Sequence, residues 1–121
     1  MKKKIALLIL LVSLLTVIGP RLLVGAASLK VIAPNGGEIL HPGGKADIRW
    51  QSADIEGKIV VILYKNGIKH TVLSQETDNT GVFLWEIPGD FAEGTDYRIR
   101  VRALSNLSIN DFSDRDFSIK K

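Results

Sequence analysis

The stretch "DYRIRVRA" (Asp96–Ala103) restricts the fold more than any other. Tyr97, Ile99, Val101 and Ala103 alternate with Arg98, Arg100 and Arg102. Side chains on a strand point alternately to opposite faces, so alternation of this kind marks a half-buried strand of an antiparallel sheet. "KADIRWQ" repeats it, with Ala46, Ile48 and Trp50 on one face and Asp47, Arg49 and Gln51 on the other. "VFLWEI" groups Phe83, Trp85 and Ile87, and "RDFSI" groups Phe117 and Ile119. From Ser28 onward no stretch has a helical period.

The turns fit the same plan. Asn66-Gly67 in "YKNGIK" is a strong hairpin signal, because a type I′ turn needs positive φ at both central residues. "DNTG", "PGD" and "EGTD" punctuate the chain between Asp78 and Asp96. About seven strands are expected, at Leu29–Ala33, Lys45–Gln51, Lys58–Lys65, Ile68–Ser74, Val82–Ile87, Tyr97–Leu104 and Arg115–Lys120. That spacing predicts an all-β fold, an antiparallel β-sandwich of immunoglobulin or fibronectin type III-like form. Residues 28–121 are read as one domain.

Residues 1–27 read differently. Lys2-Lys3-Lys4 precedes an uncharged apolar run of 14 residues, Ile5 to Ile18, and small residues at Gly25 and Ala27 suit cleavage before Ser28. This is the order of a secretory signal peptide. The other reading is an uncleaved N-terminal membrane anchor, although a spanning helix wants roughly 20 apolar residues and Gly19-Pro20-Arg21 interrupts earlier. Under either reading the domain is exported, secreted or held at the cell surface, and it meets a membrane only through this segment.

Charge changes once the leader is set apart. The chain has 16 basic and 13 acidic residues, and four of the basic ones (Lys2, Lys3, Lys4, Arg21) lie in the leader. The remaining 12 against 13 leave the domain at −1, which gives no support for nucleic-acid binding. With no cysteine there are no disulfides, thiolate metal sites or thiol nucleophiles. The 94 residues after the leader must hold together through a core, and a chain of that length buries upward of roughly 60% of its unfolded surface.

A resemblance adds to this reading. "LKVIAPNGGEIL", "ADIRWQS", "IVVILYKNG", "TGVFLWEIP", "GTDYRIRV" and "DFSDRDFSI" stand in the order of the KNH-like, Ser-Thr-rich cell-wall family, across nearly all of Leu29 to Ile119. The resemblance implies an immunoglobulin-like or fibronectin-like sandwich on secreted and surface proteins. It also brings an association with β-1,6-glucan assembly in fungal members. It implies no catalytic residues.

"PNGGE" (Pro34–Glu38) poses a choice between a ligand-holding glycine loop and a bend. A phosphate loop needs a lysine at fixed spacing and a following helix, and neither is present. Pro34 cannot donate to a ladder and the glycines permit positive φ, so the first strand is expected to break here and cross to the other sheet. Tyr97, entering the penultimate strand, is expected to bond back to nearby backbone as a tyrosine corner. Trp50 and Trp85 are expected to fill the space between sheets.

Little points to chemistry. His41 and His70 stand apart in a loop and a polar strand, so no catalytic residue is assigned and the chain is not read as an enzyme. Asp111, Asp114 and Asp116 lack the glycine-spaced ladder of a calcium loop, and neither metal nor cofactor is expected. Asn106-Leu107-Ser108 is a glycosylation sequon, usable at Asn106 only where the machinery exists.

The candidate contact surface follows from strand parity. If Ile59, Val61 and Leu63 face the core, then Val60, Ile62 and Tyr64 face outward, beside Arg98, Arg100 and Arg102 with Asp114 and Asp116 next along. Such a face is either self-satisfied through Arg–Asp pairs or a rimmed apolar contact site. The expected role is a non-catalytic module for adhesion, matrix or protein–protein contact, with a cell-envelope protein as partner. The alternative is a carbohydrate-binding module for a cell-wall polysaccharide, drawing on Tyr64, Phe91 and Phe112 as stacking aromatics.

Overall fold

The computed structural model describes residues 26–121, so the expected leader lies outside the described residues except for Ala26 and Ala27. The described residues form nine strands and no helix: β1 (Ser28–Ala33), β2 (Ile39–Leu40), β3 (Lys45–Ala53), β4 (Ile59–Lys65), β5 (Ile68–Thr77), β6 (Val82–Glu86), β7 (Gly94–Ala103), β8 (Asn106–Phe112) and β9 (Phe117–Ile119). One sheet has the order β1-β3-β6. The other runs β2-β9-β7-β4-β5, with β8 also paired to β7. Every pairing among them is antiparallel except β2 with β9.

The period-two segments fold as their patterns require. On β7, Tyr97, Ile99, Val101 and Ala103 are wholly buried and the three arginines are half-buried on the other face. They join Ile59, Val61, Leu63, Phe117 and Ile119 in one cluster with Leu29, Val31, Ile48, Trp50 and Trp85 of the three-stranded sheet. Each such large side chain contributes about 1.5–3 kcal/mol when fully buried, which gives a disulfide-free chain its cohesion. Trp50 lies in this cluster with its indole N–H donating to Asn79 Oδ1 at 2.9 Å.

At "PNGGE" the chain passes from one sheet to the other: β1 pairs with β3, whereas β2 pairs with β9. The Asn35 and Gly36 amides donate to the Glu38 carboxylate at 2.8 and 2.7 Å. The loop's amides are therefore occupied by its own acid. Asn35 accepts from the Arg115 amide at 3.0 Å, and Gly37 donates to the Asp116 carbonyl at 2.9 Å. Buried Ser113 completes the join, donating to the Pro34 carbonyl at 2.7 Å and accepting from the Ile99 amide at 2.9 Å.

Tyr97 anchors the start of β7. Its hydroxyl donates to the Ala92 carbonyl at 2.7 Å, five residues upstream. Burial raises its pKa above the usual tyrosine value, because the phenolate would be poorly hydrated there.

The strand count departs from expectation. "NLSINDF", expected as loop, is β8. It carries few apolar residues because its order comes from the β7 ladder and from the Val31 amide, which donates to Asp111 Oδ2 at 2.8 Å. β2, only two residues long, is set by its parallel register with β9. The expected final strand, Arg115–Lys120, shortens to Phe117–Ile119, because Ser113–Asp116 are engaged by the Pro34–Gly37 turn.

Candidate binding face

β4 and β7 lie side by side with Val60 opposite Arg102, Ile62 opposite Arg100 and Tyr64 opposite Arg98. The six candidate residues therefore come together on one face of the six-stranded sheet. β8 extends it, with Phe112 opposite Arg100 and Asn110 opposite Arg102.

Each arginine is engaged. Arg98 Nε donates to Asp116 Oδ1 at 2.7 Å. Arg100 donates to the Tyr64 hydroxyl at 2.8 Å and to Asn110 Oδ1 at 3.0 Å, with its guanidinium carbon 4.8 Å from the Phe112 ring centre. Arg102 donates twice to the Leu107 carbonyl, at 3.1 and 2.9 Å. The Tyr64 and Phe112 rings meet edge to face at 4.9 Å.

One expectation needs correction. Ile62 faces outward by parity but is only 4% exposed. It sits between Arg100 on β7 and Val72 on β5, and Arg100 turns back toward Tyr64. No open apolar stripe remains along β4: Val60 and Tyr64 are half-buried.

Beside Tyr64 is a depression of about 440 Å³. Tyr64 and Phe112 supply its aromatic lining, while Asn66, Asp96, Arg98 and Asp116 supply polar groups. Asn66-Gly67 is the hairpin turn between β4 and β5, with φ of 53° and 74°. Asp96 accepts from Lys65 Nζ at 2.7 Å, and this hydrogen bond raises the lysine pKa above its usual value. Asn66, Asp96 and Asp116 were legible as turn or strand-end residues, but nothing local says that they converge.

The remaining candidates have partners of their own. Phe91 packs edge-on to Trp85 at 5.6 Å and beside Tyr97 at 5.9 Å, which removes it from the set of free stacking aromatics. His41 Nδ1 lies 2.6 Å from the Lys120 carbonyl, and His70 meets Phe91 and Tyr97 edge-on. Asp111, Asp114 and Asp116 serve three separate donors: the Val31 amide, Asn35 Nδ2 and Arg98. Asn106 opens β8 and is exposed, with Oδ1 accepting from the Ser108 amide and hydroxyl.

Sequence reasoning missed a second exposed surface. Val82 and Leu84 on β6 are 36% and 50% exposed, and Ile32 on β1 is 39% exposed on the three-stranded sheet. The signal was present: in "VFLW" both parities are apolar, so one set must face away from the core. Compared with protein-family models, curated proteins and solved structures, the chain matches none of them.

Proposed function

We propose that this is a non-catalytic, exported binding module, an immunoglobulin or fibronectin type III-like sandwich that makes protein contacts in adhesion or matrix organisation at the cell envelope. Its contact face is the outer surface of the six-stranded sheet. The observation that carries this reading is the depression beside Tyr64, where the Tyr64 and Phe112 rings stand next to Arg98, itself held by Asp116 at 2.7 Å. Side chains already held in place lose little entropy when a partner docks, which favours recognition. The bonds of Asp111 to the Val31 amide and of Asp114 to Asn35 support structural duties for these two carboxylates. The resemblance to the KNH-like cell-wall family, whose modules stand on secreted and surface proteins, supports the same setting.

A second reading, a carbohydrate-binding module, is favoured by the lining of the depression. An aromatic pair next to carboxylates, an amide and a guanidinium offers a surface for a sugar ring and partners for its hydroxyls.

Co-sedimentation of residues 28–121 with isolated envelope material, before and after protease treatment, tests both. Retention lost after protease supports the protein partner. Retention that survives protease supports the polysaccharide. No retention in either case sinks both readings.

A further inference from the structure

The outer edge of β6 is open: among the described residues this strand pairs with β3 alone. Natural edge strands are commonly blunted by lysine, proline, a bulge or an inward-pointing charge. Val82–Glu86 reads "VFLWE", without lysine, proline or an inward-pointing charge, and its pairing with β3 runs without a register shift. At its start the exposed Thr80 hydroxyl donates to the Val82 carbonyl at 3.1 Å and accepts from the Val82 amide at 3.4 Å.

The phase of the ladder shows which backbone groups face the open edge. The Trp50 amide donates to the Gly81 carbonyl and the Ile87 amide to the Gly44 carbonyl, so pairs 50/81 and 44/87 are hydrogen-bonded pairs. In an antiparallel ladder such pairs alternate with non-bonded ones. Phe83 and Trp85 therefore direct their N–H and C=O toward β3, and Val82, Leu84 and Glu86 direct theirs outward. The outward side chains belong to the same three residues, with Leu84 in the middle.

We propose that β6 docks a second copy of this chain, antiparallel, about a two-fold axis at Leu84. In that register Leu84 exchanges two backbone hydrogen bonds with its own symmetry mate. Val82 exchanges its two bonds to the Thr80 hydroxyl for two with Glu86 of the other copy, and the outward groups of Leu84 and Glu86 gain partners. Charge fits as well as hydrogen bonding. Glu86 stands opposite Lys45 within its own sheet and opposite Val82 of the second copy, behind which lies that copy's Arg49. Asp47, opposite Leu84, is already neutralised by Arg49 at 3.1 Å, and two leucines separate the two copies of it. On the inner side, half-buried Phe83 would meet Trp85 of the other copy as a non-bonded pair, the closer of the two cross-strand spacings. The two three-stranded sheets become one of six strands, and the two exposed Leu84 side chains stand side by side on its outer face. This contact is independent of the envelope-binding reading.

The chain has no cysteine, so a single introduced one reports cleanly. The full chain, expressed with its own leader and purified in the form the cell delivers, is made as Leu84→Cys and, as control, Leu107→Cys, which is comparably exposed at 46% on β8. Facing residues of a bonded antiparallel pair have Cα atoms about 5.5 Å apart, within disulfide reach. Under mild oxidation Leu84→Cys is expected to form a covalent dimer about tenfold faster than Leu107→Cys or better, since docking raises the local thiol concentration. Sedimentation velocity of the unaltered chain is expected to show a monomer–dimer equilibrium that Leu84→Lys shifts to monomer with the same circular dichroism spectrum. Equal crosslinking rates for the two cysteine variants, or an unaltered chain that stays monomeric at all concentrations, would overturn the proposal. If Leu84→Lys fails to fold, the crosslinking ratio alone decides.

Discussion

The Ser113 hydroxyl donates to the Pro34 carbonyl at 2.7 Å, tying the break after β1 to a residue 79 positions later. Ser113 is 1% exposed and also accepts from the Ile99 amide. Ser113→Ala leaves a buried donor and a buried acceptor without partners, which costs about 1–3 kcal/mol. The expected result is a lower urea midpoint with an unchanged slope. A midpoint equal to that of the parent chain would mean that water replaces the hydroxyl without loss.

Gly36 and Gly37 separate two effects of an added methyl. Both have positive φ, at 144° and 84°. A Cβ at Gly36 would lie 2.8 Å from Arg115 Cβ, whereas one at Gly37 meets nothing within 4 Å. Gly37→Ala is expected to cost about 1 kcal/mol from backbone strain alone, and Gly36→Ala roughly 2–3 kcal/mol because the Arg115 side must also move. Thermal unfolding of the two variants checks the order.

Tyr97→Phe removes the donor to the Ala92 carbonyl and is expected to cost about 1–2 kcal/mol at neutral pH. The same substitution isolates an alkaline effect. Tyr97 has a folded pKa raised above the ordinary tyrosine value of 10.0, so its protonated form is favoured in the fold. Its contribution is full below pH 10 and is lost as pH rises through the elevated value. The Phe variant should therefore lose less stability than the parent above pH 10, and the gap between their urea midpoints should narrow there.

Tyr64 and Phe91 should part company in function. Tyr64→Ala alters the contact face and is expected to weaken retention on envelope material about tenfold, the scale of a modest interface hot spot. Phe91→Ala should leave retention unchanged at temperatures where it is folded, but lower stability by about 2 kcal/mol, because its ring packs on Trp85 and Tyr97. Equal loss of binding in both variants would move the contact site toward the Phe91 end.

The architecture was legible wherever the residues themselves carried the signal. Alternation in "DYRIRVRA" predicts the buried face of β7, and Asn66-Gly67 predicts the β4–β5 turn. "PNGGE" predicts the passage between sheets. Illegible features were those fixed by distant partners. β8 is polar along most of its length because its order comes from the β7 ladder and from one carboxylate on Val31. The concealment of Ile62 depends on an arginine from another strand bending toward Tyr64. The depression gathers a turn, two strand ends and a residue of β8, a convergence that no periodicity encodes.

β2 and β9 run in the same direction, joined by the Ser118 amide to the Glu38 carbonyl at 2.9 Å and the Lys120 amide to the Leu40 carbonyl at 2.8 Å. Tension between the two ends of the domain would draw β2 and β9 past each other along their length. In an antiparallel edge hairpin pulled from its open end, bonds yield one at a time. Here the bonds to Ser118 and Lys120 are loaded together, so the join would resist stretch as a lap joint does, in shear.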